Sequence, residues 1–324
     1  MKVFPSQSDE QTELLGRFGK TCLWLALLYC YPLLQWTRFA LTSEFHSHVL
    51  LVPVVSAYLI RICALDGLWS PARARRGSIR WMVIWGVLAV FAAIGYLTSV
   101  FEGTPFLGAD ALSLSSLSLL CAFYALACFH FSLESVRQIA FPLGFLLFAI
   151  PLPGFAMDAI EVFLQHASAE VASWFFNLSG LPFLRDQLTF ALPGITIKVA
   201  QECSGVRSSL VLFMTSLIAG YMFLRYSSHR VTLALFTIIL GICRNAFRIL
   251  VIAWLCVEIG PEMIHSVIHK RGGPLFFLLS LIPLGLVLWG LIRMERRRAG
   301  STAGSIPPTS PLVDQSGCAK ARRA

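Results

Sequence analysis

The sequence predicts an all-α polytopic membrane protein of about eight transmembrane helices, with an external interfacial helix and a short β-hairpin-like segment before Cys203. Three observations predict this class. Hydrophobic residues make up 56% of the 324 residues and charged residues only 13%, and the mean hydropathy is +0.72. A soluble core cannot bury so much apolar surface, so lipid must be the solvent. The third observation is that the basic residues are clustered in a few of the loops between the apolar runs.

Eight apolar runs are long enough to be interpreted as membrane spans, at residues 21–37, 47–64, 81–99, 111–132, 137–151, 204–224, 231–256 and 274–293. No small-residue cleavage site follows the first run at signal-peptide spacing, so we expect a retained helix. The predicted organisation is a polar cytoplasmic N-terminus, a single transmembrane domain and a disordered basic cytoplasmic tail, at residues 1–20, 21–295 and 296–324.

The arginines predict the orientation. They lie at the ends of the second, sixth and eighth runs or in the loops that follow: Arg61, Arg73, Arg75, Arg76, Arg80, Arg225, Arg230, Arg293, Arg296, Arg297 and Arg298. With eight spans these loops share one side, which the positive-inside rule makes cytoplasmic, together with both termini. Loops 100–110, 152–203 and 257–273 then face the periplasm or exterior of a cell (inner) membrane. These anchoring arginines account for the net charge of +9, so we expect the lipid bilayer as a partner and no nucleic acid.

The segment 152–203 is the least membrane-like part of the chain. Apolar residues recur there at three- and four-residue steps, which predicts an amphipathic helix in the membrane interface. The apolar residues are Met157, Ile160, Leu164, Ala167, Val171, Trp174 and Leu178, and the polar face holds Asp158, Glu161, Gln165 and Ser168. A poorly apolar ninth span is the alternative. Residues 188–192 and 195–199 alternate about Pro193-Gly194, which predicts two short strands joined by a turn.

Cys203 lies where this polar segment meets the sixth apolar run. A thiol at the start of a helix is close to unpaired N–H groups and to the positive end of the helix dipole, which favour the thiolate. Arg207, one turn on, would add positive charge, whereas Glu202 opposes it. The other eight cysteines lie in apolar runs or in the tail, where a small buried hydrophobe is the simpler interpretation. Cys203 is therefore a candidate nucleophile.

The seventh run contains Arg244-Asn-Ala-Phe-Arg248 in an otherwise apolar stretch. A charge at such depth costs several kcal/mol unless it is paired or reaches a wet cavity. Asn245 and Arg248 share a face, while Arg244 either faces inward or snorkels toward the cytoplasmic loop. The predicted boundaries put Arg248 roughly 15 Å below the outer end of its span. Either the site is recessed or the boundaries are wrong.

The loop after this run contains two histidines, His265 and His269, and is predicted to lie on the same side of the membrane as Cys203. Histidine is the usual base for a thiol because its pKa lies near working pH, and the spacing does not choose between the two. Glu262, His265 and His269 also fall on one helical face and fit a zinc site. The zincin pattern is absent and no further ligand cluster is evident, so we predict no metal and no cofactor.

These residues together resemble the exosortase/archaeosortase family. The order is Cys-Ser-Gly-x-Arg at the head of one span, Asn-x-x-Arg in the next and His-x-x-x-Gly before the last, at Cys203 to Arg207, Asn245 to Arg248 and His269 to Gly273. The similarity covers about residues 20 to 295, and its specific part, taken as the catalytic part, is about 150–280. Arg244 and His265 are departures from the commonest pattern.

The resemblance implies a membrane cysteine transpeptidase with Cys203, Arg248 and His269 as catalytic residues. It implies a nucleophile that forms an acyl-thioester, an arginine that stabilises the oxyanion or donates a proton, and a histidine that moves protons. Arg207, Arg244, Asn245 and His265 are supporting candidates. The implied substrates are exported proteins with a PEP-CTERM-like sorting tail, which consists of a motif, a hydrophobic helix and a basic cluster, and the acceptor is a lipid or polysaccharide of the surface.

Another class remains open. The protein could instead transport anionic envelope precursors, with Arg244 and Arg248 lining the path. A membrane thiol oxidoreductase is less consistent with the chain, since it would require a cysteine pair such as Cys-x-x-Cys on one side, which the sequence lacks.

Overall fold

The computed structural model describes residues 7–43, 47–65, 76–101, 109–199, 205–260, 262 and 273–303. The predicted site residues Cys203, His265 and His269, and most of the predicted tail, lie outside these ranges. The chain divides into two compact units, one up to Gly154 and one from Phe155. The predicted catalytic part falls almost entirely in the second unit.

The first unit is built from helices. They are α1 (Gln7–Leu28), α2 (Cys30–Thr42), α3 (Leu51–Leu65, after a 3₁₀ turn at Ser47–Leu50), α4 (Arg76–Phe101), α5 (Ala109–His130), α6 (Leu133–Gln138), α7 (Ala140–Phe145) and a 3₁₀ turn at Leu146–Ala149. Helices α4 and α5 pack closely on each other. The outer surface of α4 is left to large apolar side chains, as expected where lipid is the solvent.

The predicted span at 137–151 is a series of short helical pieces. Proline lacks an N–H, so Pro142, Pro151 and Pro153 interrupt the backbone hydrogen bonding of this stretch. Side chains of neighbouring helices donate to carbonyls of this stretch: Ser56 to Pro142 (2.8 Å), Tyr124 to Leu143 (2.5 Å), Trp36 to Ala149 (2.9 Å) and Ser113 to Pro151 (2.6 Å). Irregular backbone is tolerated at membrane depth only when it is satisfied in this way.

The structure does not confirm eight spans. Five described helices are long and apolar enough to cross a membrane, or six if the helices before and after Ile150–Pro153 form one span. The first predicted span is divided at Tyr29 into α1 and α2, and α1 already begins at Gln7, inside the predicted polar N-terminus. A multi-pass membrane protein is confirmed, while the sidedness of its ends remains a prediction.

The second unit holds a small sheet among longer helices. Its elements are α8 (Gly154–Ser179), β1 (Leu184–Asp186), β2 (Thr189–Leu192), β3 (Ile195–Lys198), α9 (Val206–Phe223), α10 (Ser227–Glu258) and α11 (Gly273–Ala303). The predicted hairpin is confirmed as β2 and β3, paired antiparallel with Phe190 opposite Ile197. A third strand, β1, was missed. It pairs with β2 after a turn at Gln187, whose φ is 48°.

The sheet is fixed to α8 by Arg185 of β1. Its guanidinium donates two hydrogen bonds to the carboxylate of Glu170, at 2.9 and 2.6 Å, and others to Ser173 and to the carbonyl of Gln187. The hydrogen bonds to Glu170 raise the pKa of the Arg185 guanidinium. Beneath this pair, α8, the sheet and α10 share an apolar core: Ala169, Ala172, Phe176, Phe190, Leu192, Ile197, Val199, Ala246, Ile249 and Ala253.

The buried face of α8 agrees with the predicted one only in part: Leu164 of the apolar face is buried and Asp158 of the polar face is exposed. Trp174 and Leu178 of the predicted apolar face are 62% and 74% exposed, whereas Gln165 and Ser168 of the predicted polar face are buried. Small and hydrogen-bonding side chains suit close helix packing, and large apolar ones lose nothing in lipid. The helix itself is confirmed, and its interfacial placement remains a prediction.

Helices α9 and α10 run antiparallel at close range. An added Cβ would lie 3.0 Å from Asn245 Oδ1 at Gly205 and 2.9 Å from Ser209 Oγ at Gly241, while at Gly220 the nearest atoms, 3.7 Å away, belong to Arg230. The three pairs share one antiparallel register, because the residue number rises along α9 by the same amount as it falls along α10 from each pair to the next. Glycine at these crossings lets the two backbones approach.

At the other end of α10, Glu295 of α11 accepts hydrogen bonds from the helix N-terminus. The carboxylate is 7% exposed and binds the N–H groups of Arg225 and Tyr226 at 2.9 and 3.0 Å and Nδ1 of His229 at 3.0 Å. A carboxylate at a helix N-terminus is favoured by the free N–H groups and by the helix dipole.

Replacing this carboxylate should destabilise the second unit. We expect Glu295→Ala to lower the free energy of unfolding by about 3 kcal/mol, because it leaves buried donors without an acceptor. Unfolding in mixed micelles followed by circular dichroism measures the change. Glu258→Ala, an exposed carboxylate at the opposite end of α10, is the control. Equal stability of the two variants would show that the cap contributes nothing.

Candidate active site

The N-terminus of α9 is the point where two of the sequence motifs meet. Gly205, which ends Cys-Ser-Gly, is the N-cap residue and has a φ of 71°. This left-handed conformation favours glycine. The contact requires glycine as well, since a Cβ at Gly205 would lie 3.0 Å from Oδ1 of Asn245 and 3.4 Å from Nη2 of Arg244. Gly205, the last residue of Cys-Ser-Gly, is therefore in direct contact with Arg244 and Asn245 of α10.

Arg244 holds this contact in place. Its Nη2 donates to the carbonyl of Gly205 at 3.3 Å and to Oγ of Ser209 at 3.1 Å. The side chain is 8% exposed, so the alternative that it snorkels toward the cytoplasmic loop is wrong. Its other terminal nitrogen, Nη1, is buried and has no hydrogen-bond partner within the part of the chain that is described. A donor is thus available beside the start of α9.

Two further hydrogen bonds connect α8 to the same place. Nδ2 of Asn245 donates to Oγ of Ser168 at 3.1 Å, which leaves Oδ1 facing Gly205. Gln165, one turn earlier on α8, donates from Nε2 to the carbonyl of Val199. Val199 ends the hairpin and Gly205 begins α9, so the described residues on both sides of 200–204 are held by buried polar side chains.

The level of Arg248 follows from the lengths of the two helices. α9 has 18 residues and α10 has 32, so α9 is about 27 Å long, close to the thickness of a bilayer core. Because α9 starts beside Asn245, residues 246–258 of α10 extend past it and pack on α8 and the sheet. Arg248 is then about one turn from the level at which α9 starts. The choice between a recessed site and wrong span boundaries depends on the level of Cys203 in the membrane, and both alternatives stay open.

The electrostatics of this region favour negative charge. Arg244 and Arg248 carry guanidinium groups on consecutive turns of α10, Arg207 lies exposed on the first turn of α9, and the positive end of the α9 dipole points at the preceding residues. Among the described residues, no carboxylate forms an ion pair with Arg244. Such a site stabilises a thiolate or a developing oxyanion.

The described residues include some of the predicted site residues and not others. Cys203, His265 and His269 lie outside the described residues, so the structure brings together Arg244 and Asn245 with the flank of the cysteine motif and leaves the thiol and the imidazoles as predictions. Of the predicted zinc ligands only Glu262 is described, and it is exposed. The choice between His265 and His269 stays open.

The burial of Gln165 and Ser168 and the requirement for glycine at position 205 were not predicted from the sequence. Gln165 and Ser168 were assigned to the polar face of a surface helix, although their spacing and the neighbouring Ala169 and Ala172 are typical of a helix-packing stripe. The motif includes Gly205, but the sequence alone gives no physical reason why this position must be glycine. The presence of both a Cys-Ser-Gly motif and an intramembrane Asn could have indicated that the two backbones approach closely at this glycine.

The fold and this region together define a multi-pass membrane protein with a buried, positively charged polar site at the head of one span. The profile of the transmembrane exosortase family matches residues 36–286, so the chain belongs to that family. The family is a class of membrane cysteine-type processing enzymes. Comparison with curated proteins and with solved structures finds no match.

Proposed function

We propose that this protein is a membrane-embedded cysteine protease and transpeptidase that removes C-terminal sorting tails from exported proteins. It cleaves beside a PEP-CTERM-like motif, retains the exported protein as an acyl-thioester on Cys203 and passes it to a lipid or polysaccharide acceptor. The observation that carries the proposal is the contact of Gly205 with Asn245 and Arg244. It joins at one buried site two motifs that lie on different helices, the first through Gly205 and the second through Asn245.

The chemistry follows from the residue types. The thiolate of Cys203 attacks the peptide carbonyl, a C–S bond forms, and the carbonyl oxygen takes the negative charge. Arg248, with Arg244 as a second donor, stabilises this oxyanion in a site of low dielectric constant. When the C–N bond breaks, His269 or His265 gives the leaving amine the proton that it took from the thiol. The acceptor hydroxyl or amine then attacks the thioester, loses its proton to the histidine and regenerates the thiol.

The membrane setting suits a tethered substrate. A substrate helix can diffuse laterally until its motif reaches the head of α9, while its basic end stays on the cytoplasmic side, the side predicted for the arginine-rich loops. The active site would then face the periplasm or exterior. Transport of anionic precursors is less consistent with the geometry, since Arg244 donates hydrogen bonds to α9 rather than lining an open path.

Thiol blockade distinguishes an enzyme from a transporter. The protein is reconstituted in liposomes in a variant that keeps Cys203 and replaces the other eight cysteines with alanine or serine. It is then mixed with a reporter that ends in a motif, an apolar helix and a basic cluster. We expect the reporter to be shortened, and a membrane-impermeant maleimide to stop the reaction. A reporter that stays intact, or processing that survives complete labelling of Cys203, would contradict the proposal.

A further inference from the structure

Two buried polar side chains of α8 flank the segment that carries Cys203. Gln165 is 6% exposed and Ser168 is fully buried, and their i,i+3 spacing puts them on one face of the helix. Neither lies in the three motifs. We propose that Gln165 and Ser168 are positioning residues that set the geometry of the Cys203 thiol, an inference that rests on the proposed function.

Gln165 acts on the N-terminal side of the segment. Its amide donates to the carbonyl of Val199, and the N–H of Val199 donates to the carbonyl of Leu188 at 2.9 Å. Val199 is 2% exposed and belongs to the core shared by α8, the sheet and α10. Its backbone is therefore held by the sheet at one group and by α8 at the other, and the path of the chain into the cysteine motif starts from a fixed point.

Ser168 acts on the C-terminal side through Asn245. By accepting from Nδ2 at 3.1 Å it orients the amide of Asn245, and the amide oxygen then lies against Gly205. Without Ser168 the amide loses this buried acceptor for Nδ2, and the surface that receives Gly205 changes. One helix thus fixes both flanks, directly at Val199 and through Asn245 at Gly205. The location of the thiol relative to Arg244 and Arg248 depends on α8.

The test is Gln165→Leu, which keeps the volume of the side chain and removes the donor. A displacement of about 1 Å at a reacting atom costs up to roughly 100-fold in rate, so we expect kcat to fall about 10- to 100-fold while KM changes less than about 2-fold. A misplaced thiol also loses part of its positive surroundings. Alkylation of Cys203 by iodoacetamide should therefore slow at neutral pH, and its pH midpoint should rise.

Matched controls separate position from stability. His166→Leu changes the exposed neighbour of Gln165 on the same helix, and Ser179→Ala removes a hydroxyl of α8 that donates to a local carbonyl, that of Phe176. Both should keep wild-type kcat and alkylation. Ser168→Ala should move both readings in the same direction as Gln165→Leu, and it decides the question if Gln165→Leu does not fold.

Two outcomes would overturn the inference. One is a folded Gln165→Leu with wild-type kcat and alkylation. The other is a loss of stability with wild-type kcat per folded molecule, which would make Gln165 a structural residue alone. Failure of the proposed function is distinguishable, because processing by a Cys203→Ala variant would reject the nucleophile whatever Gln165 does, while the alkylation profile would still report on the position of the thiol.

Discussion

Cys203→Ala should abolish processing of a sorting-tail reporter and leave the uncleaved precursor in the membrane. The residual rate should be lower by several orders of magnitude, because removing a covalent nucleophile removes the reaction path and not merely part of its stabilisation. Cells that express the variant with the reporter provide the measurement, as the ratio of precursor to product on a gel. The variant should accumulate at the wild-type level.

Cys30→Ala is the control for the loss of a thiol. Cys30 is exposed at the first residue of α2, in the unit that does not contain the candidate site, and its loss should leave processing unchanged. Ordinary processing by Cys203→Ala would reject the assignment of the nucleophile. Loss of processing in both variants would indicate a general sensitivity to substitution, in which case Cys203 would have no special role.

Gly205→Ala should come second in effect, with a loss of at least about 100-fold in activity. Two costs combine at this position. A left-handed φ costs an L-residue about 1–2 kcal/mol, and the new methyl group would lie 3.0 Å from Oδ1 of Asn245, so either the start of α9 or the Asn245 amide must move. The measurement is turnover of the purified variant, normalised to the folded fraction from size-exclusion chromatography.

Gly180→Ala separates the two costs. Gly180 has the same φ of 71°, but nothing lies within 4 Å of the position that its Cβ would take. Its substitution therefore carries the conformational cost without the contact, and we expect a modest loss of stability with normal turnover per folded molecule. If the two variants have equal turnover, the contact between Gly205 and α10 has no role in the site.

Much of the candidate site was predictable because its signals are local. Alternation about Pro193-Gly194 predicted the hairpin, and charges within an apolar run indicated that the arginines at 244 and 248 need partners or a wet cavity, although Arg244 was left between two placements. The phase of α8 was not predictable from polarity, since lipid rewards exposure of Trp174 and Leu178 while buried hydrogen bonds hold Gln165 and Ser168. The rule that apolar side chains are buried and polar ones are exposed holds for a helix in water, and it assigns these four side chains of α8 to the wrong faces.

The number and limits of the spans were harder to predict for the same physical reason. Hydropathy measures whether a run can lie in lipid, and it does not report whether the run is one straight helix. The run at 137–151 is apolar after Gln138, yet it is broken at Ile139 and again before Pro151, and several of its carbonyls take donors from residues far away in the sequence. Likewise residues 249–257 of α10 are all apolar, as in a lipid-facing run, although this part of the helix extends past α9 and packs on α8 and the sheet.

The most direct test of the account is capture of the acyl-enzyme. Purified protein is incubated with the reporter in the absence of an acceptor, quenched in acid, digested and analysed by mass spectrometry. We expect a hydroxylamine-labile adduct on Cys203 whose mass matches the reporter segment that precedes the cleavage point. Shortened reporter without any adduct at Cys203, or with an adduct on a different residue, would contradict it.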